Sequence, residues 1–155
     1  MKDMKTIASY ICRRYEEEFG EQIDEMKLHK LMYFAQRESL ILTDAPLFDA
    51  EIQGWRLGPV VPTLREFYKA GEFAPVTDDE LGEDKATLDA VFAEYADSDS
   101  WNLSRLSHGE VCWKISRKGV APNESSSVTI PVSDIRIDAT RMQERRKMLD
   151  QMGLL

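Results

Sequence analysis

Apolar residues recur every third or fourth position along most of the chain, and that period predicts amphipathic helices. Ile7, Ile11, Tyr15 and Phe19 line one face of a helix over 4–19 that should lie on the core, with Gly20 placed to end it. Asp24 can cap a second helix in which Leu28, Leu31, Met32, Ala35 and Leu42 share a stripe. Tyr33, Phe34 and Leu40 fall off that stripe, so this helix is apolar nearly all round and should be central.

The rhythm breaks between Ala45 and Pro62, where two glycines and three prolines exclude a continuous helix. A packed irregular loop is expected there, with a short strand near residues 51–57. Pro62 then suits the first turn of a third helix through Tyr68, with Leu64, Phe67 and Tyr68 inward and Gly71 at its end.

Thr77 and Glu80 have capping-box spacing and open a helix whose inner side is Leu88, Val91, Phe92 and Tyr95. A short helix follows from Ser100 to Leu106. Val128–Ile130 has β-branched strand character and can pair near Trp55, Pro131 keeps that strand short, and Ser133 caps a last helix. The sum is a mainly α, compact single-domain helical bundle of about five to six helices, spanning residues 1–155, with a small β element and an irregular Trp/Gly/Pro-rich loop.

Composition narrows the function classes. At 155 residues and 43% apolar content the chain can bury one core. No segment approaches the roughly 20 uninterrupted apolar residues of a membrane span, and the first residues turn charged before a signal segment develops, so a cytoplasmic location without membrane contact is expected. The net charge of −8 resides in residues 77–99, which hold nine acidic side chains and only Lys85. Clustered acids disfavour direct nucleic-acid binding and suit either a basic protein face or a solvated helix.

Candidate chemistry is sparse. His108 and Cys112 are close in sequence, but two ligands are too few for a structural zinc site, and His29 and Cys12 each stand alone on their helices. Cys112 with His108 as base has the atom types of a nucleophilic pair without a visible orienting group. No phosphate-binding glycine loop is present. No metal, cofactor or catalytic residue is therefore assigned, and an uncharacterised hydrolase with a scattered constellation stays a remote alternative. The unusual feature is a set of aromatic and small residues in loops: Trp55, Gly58, Pro59, Trp101, His108 and Trp113. Taken singly, each indole can be a brace between loop and helix.

Three blocks carry a resemblance: KLHKLMYFAQ at 27–36, PLFDAEIQGWRLGPVVPTLREFYKAG at 46–71 and LSRLSHGEVCWKIS at 103–116. Their order and content resemble the Panacea domain, the family of SocA-like antitoxins. His29 stands where the family commonly has Gln, and Cys112 where it commonly has Pro, so the atoms a mechanism would need are replaceable in the pattern. The resemblance implies a non-catalytic antitoxin that neutralises a cognate protein toxin by direct binding, the family's toxins including small alarmone-synthetase-like enzymes. As an alternative it permits a proteolytic adaptor that delivers a toxin to an ATP-dependent protease. Some family members add a DNA-binding region, for which residues 1–25 leave no room. The expected partner-binding residues are Lys30, Tyr33, Trp55, Arg56, Pro59, His108 and Trp113, where aromatics and an arginine can act as anchors.

Overall fold

A computed structural model describes residues 1–155 as a mainly helical domain built around one helix. Helix α1 (Met4–Phe19) is capped by the Asp3 carboxylate and closed by Gly20 in the left-handed region. Helix α2 (Glu25–Thr43) starts at Asp24, whose side chain accepts from the Lys27 amide. Its residues 27–40 are all buried, as expected of a helix without a polar face. Helix α1, a β-hairpin and three helices further along the chain (Asp84–Tyr95, Ser100–Ser107 and Val132–Gln151) all pack on it. Burying Leu28, Leu31, Met32 and Phe34 contributes about 1.5–3 kcal/mol each.

Strands β1 (Gln53–Trp55) and β2 (Gly58–Val60) form an antiparallel hairpin turning at Arg56 and Leu57. The expected strand near 51–57 is thus the first arm of a pair. Val128–Ile130 lies alongside it: Gly54 donates to the Val128 carbonyl and Ile130 to that of Ile52. Helix α3 (Pro62–Ala70) opens on its proline and ends at Gly71. Beyond it lie α4 (Asp78–Leu81), α5 (Asp84–Tyr95), α6 (Ser100–Ser107), α7 (Val111–Ser116) and α8 (Val132–Gln151).

The helices number eight where five to six were expected, for two reasons. The helix expected from Thr77 through Tyr95 is broken at Gly82, whose φ of 56° and ψ of −126° no helix accommodates. The six-residue α7 has no capping side chain of its own; the Asp138 carboxylate of α8 accepts from the Val111 and Cys112 amides, both at 2.8 Å. A cap supplied from a distant helix leaves no local signature. Helix α8 begins at Val132 behind Pro131, so Ser133 lies inside its first turn instead of capping it. Leu42 is 51% exposed and Phe19 stacks on Tyr15 at the rim, so the inward stripes of α2 and α1 each end one turn early.

Three of the nine acids in the acidic stretch form internal ion pairs. Asp84 meets Lys2, Asp89 meets Arg14 and Lys85, and Glu94 meets Arg146. Asp99 caps α6. Exposed pairs of this kind contribute about 0–1 kcal/mol each, yet they occupy some of the charges a basic partner would use.

Candidate functional site

The G-W-x-x-G-P hairpin projects between α2 on one side and the α6–α7 corner on the other, and its glycines are required by that squeeze. Gly58 has a φ of 118°, and a Cβ there would overlap Ser107 Oγ and press on Lys30. A Cβ at Gly54 would overlap Ser116 Oγ. Hydrogen bonds lock the same contacts. Ser104 Oγ donates to the Leu57 carbonyl at 2.6 Å, and the Trp113 indole donates to the Trp55 carbonyl at 2.8 Å. Arg117, 6% exposed, donates to the carbonyls of Gly54, Ala121 and Glu124, tying the hairpin to the loop that follows α7.

The seven residues expected to bind a partner divide into two layers. Arg56 is exposed at the hairpin tip, and Trp55, His108 and Trp113 are half-buried around it. His108 stacks on Trp113 with ring centroids 4.2 Å apart and planes 7° from parallel. Trp55 carries the Arg65 guanidinium over its ring. Lys30, Tyr33 and Pro59 lie beneath, all buried. Lys30 Nζ donates to the Pro59 carbonyl at 3.1 Å. The Tyr33 hydroxyl donates to Glu110 at 2.8 Å and lies 3.1 Å from Cys112 Sγ.

Between α2, the hairpin, α3 and the Ser125–Ser127 loop lies a cleft of about 670 Å³. Its floor includes His29, whose Nδ1 accepts from the Val61 amide at 3.2 Å while Nε2 faces Glu25 at 3.0 Å. Burial pushes His29 down to about 4, which keeps the ring neutral at pH 7. Burial lowers His108 as well, with the charge of Lys30 acting in the same direction and the nearby Leu57 and Arg56 carbonyls opposing.

One turn beyond Tyr33, Arg37 is buried against Phe34 and donates to Glu110 at 2.6 Å and to the Tyr95 hydroxyl at 2.6 Å. Burial raises Glu110, with Arg37 opposing and Asp138 assisting the rise. Sequence reasoning passed over Arg37, Glu110, Asp138 and Arg117. The available signal was an arginine inside a helix with no polar face, since a buried guanidinium demands a carboxylate.

The thiols are poor nucleophiles. Burial raises Cys12 to about 12, and it raises Cys112 strongly too, against the opposing hydrogen bond to Tyr33. No three side chains among His, Cys, Asp and Glu converge in a way that would hold a metal ion.

Residues 28–114 match the family described as antitoxin SocA-like, Panacea domain. The chain belongs to this family. An antitoxin role in general, with a toxin as partner, follows from membership. No curated protein and no solved structure matches it. The Panacea match runs from the start of α2 to α7, so it contains α2, the hairpin and the α6–α7 corner. Within this Panacea domain the blocks that read as a pattern include the parts that grip the hairpin: Lys30 from the first, both glycines from the second, and Ser107 and Trp113 from the third. No helix is long and apolar enough to cross a membrane.

Proposed function

We propose that this Panacea domain neutralises its toxin by stoichiometric binding through the hairpin tip and the corner beside it, with Trp55, Arg56, His108 and Trp113 as the contacting residues. The observation that carries the reading is the layering of the hairpin: its aromatic and arginine side chains face outward while its backbone is fixed by Lys30, Ser104 and Arg117. A pre-ordered surface of aromatic and arginine anchors loses little entropy on association, which is what hot spots require. Lys30 and Pro59 act as positioning residues from below, joined by the Lys30 ammonium and the Pro59 carbonyl, while Tyr33 anchors the start of α7 through Glu110. In this reading the chain acts by binding: the Cys112 thiol is buried and pushed up by desolvation, and the Glu110 carboxylate is held by Arg37. Neither the toxin's class nor a protease is needed for the contact itself.

Co-expression with the product of the adjacent reading frame, as candidate toxin, tests the proposal. Trp55→Ala with Arg56→Ala should abolish rescue and recovery of the complex while circular dichroism stays unchanged. Intact rescue by that folded double variant would move the surface elsewhere. Rescue by the wild-type chain should persist in a host lacking ATP-dependent proteases. Loss of rescue there would replace occlusion with delivery to a protease.

A further inference from the structure

The cleft beside the hairpin contains a charge that the fold does not neutralise. Lys30 is 1% exposed, and its ammonium makes one hydrogen bond, to a carbonyl, and no ion pair. An ammonium has three N–H donors, and a cation withdrawn from water is costly until it meets an anion or a full set of acceptors. Glu25, the acid on the same rim, is already engaged, its Oε2 lying 3.2 Å from Arg65 Nε and 3.0 Å from His29 Nε2. The lining therefore carries Lys30, Arg56 and Arg65 against one committed carboxylate.

The other walls fit a particular kind of guest. Met26, Trp55, Leu57 and Val60 give an apolar side, and the loop Ser125–Ser127 brings three serines to the opposite rim. Volumes of roughly 300–1,000 Å³ with apolar walls and a few convergent polar groups are typical of small-molecule sites.

The geometry points to a binding site for a small organic oxyanion, a carboxylate or phosphate monoester on a compact apolar body, its head on Lys30 and Arg65 and its body against Trp55 and Leu57. The guest supplies the counter-charge that the chain withholds. Charge-assisted hydrogen bonds in a partly desolvated cleft are the strong ones, so the ammonium contributes most to affinity and the more exposed Arg65 less. The site is a property of the isolated chain and does not depend on where the toxin binds.

The test titrates the purified chain with phenyl phosphate, benzoate and the neutral benzyl alcohol at constant ionic strength, following the Trp55 indole and the Ser125–Ser127 amides by ¹⁵N NMR. Saturable shifts at these positions with an anion and none with the alcohol are expected; the tighter anion identifies the head group. Lys30→Met should weaken binding about tenfold or more. Arg65→Gln should weaken it less, and Lys147→Gln on α8 should leave it unchanged. No saturable shift up to about 10 mM, alcohol binding as well as the anions, or a folded Lys30→Met that binds like wild type would overturn the proposal. Should Lys30→Met fail to fold, Arg65→Gln decides, because its side chain is 44% exposed.

Discussion

Helix α2 buries three cations, Lys27, Lys30 and Arg37, and the fold treats the last two, seven positions apart, in opposite ways. Arg37 lies among Glu110, Tyr95 and the Phe34 ring, with its guanidinium hydrogen-bonded to a carboxylate and a phenol. Lys30 meets only a carbonyl. The first is a charge-paired knot in which Glu110 also receives the Tyr33 hydroxyl, with only Arg37 Nε left unpartnered, and it ties α2 to the start of α7. The second sits at the edge of a cleft and remains electrically open. Burial alone therefore does not separate structural charge from charge available to a ligand; the separation lies in whether a counter-charge is built in.

The comparison breaks most visibly if the knot is cut. Glu110→Ala leaves Arg37 buried without its carboxylate and should cost about 3–5 kcal/mol in urea denaturation. A loss under about 1 kcal/mol would mean that Arg37 is compensated by other means.

Lys30 should respond in the opposite sense. Lys30→Met removes an uncompensated cation and keeps most of the volume, so stability at neutral pH should rise by about 1–3 kcal/mol. Burial holds the folded-state Lys30 down to about 8 against 10.5 unfolded. Between those values the unfolded chain binds more protons, so the wild type gains stability as pH rises across the window, by about 3 kcal/mol in all, and the advantage of the methionine variant disappears. Denaturation curves for both chains at neutral pH and near pH 10 check the sign; a variant less stable than wild type at neutral pH would make Lys30 a satisfied group.

The smallest effect sharpens the knot. Asp138→Asn keeps one acceptor for the α7 amides and loses the charge, which should cost about 1–2 kcal/mol. It also removes one of the influences raising Glu110, so the Glu110 carboxyl should titrate lower in the variant, read by side-chain carboxyl NMR. An unmoved Glu110 would show that the two carboxylates do not sense one another.

Much of the helical frame was legible because its signals are local. Asp24, Gly20, Pro62 and Gly71 act on amides or carbonyls within a turn of themselves, and each does in the structure what its position implies. The pairing of 128–130 with the hairpin region was readable from β-branched character. Helix α7 was not, because its cap lies 26 to 27 residues away on α8. Among the expected contact residues, spacing could gather the aromatics into one set but could not sort them by depth. Tyr33 is buried because Glu110 and Cys112 receive it from across the domain, and Pro59 because α2 and α6 close on the hairpin.

The amino-acid order by itself determined where most of the longer helices begin, that α2 would be central, and that the Gly- and Pro-containing stretch from Ala45 to Pro62 could not be helix. Tertiary structure alone decided which charges are paired, which loop side chains face water and where a cleft opens. The physical reason is range: capping and periodicity act over three or four residues, whereas the desolvation of an ammonium or the pairing of a guanidinium depends on groups that only packing brings together.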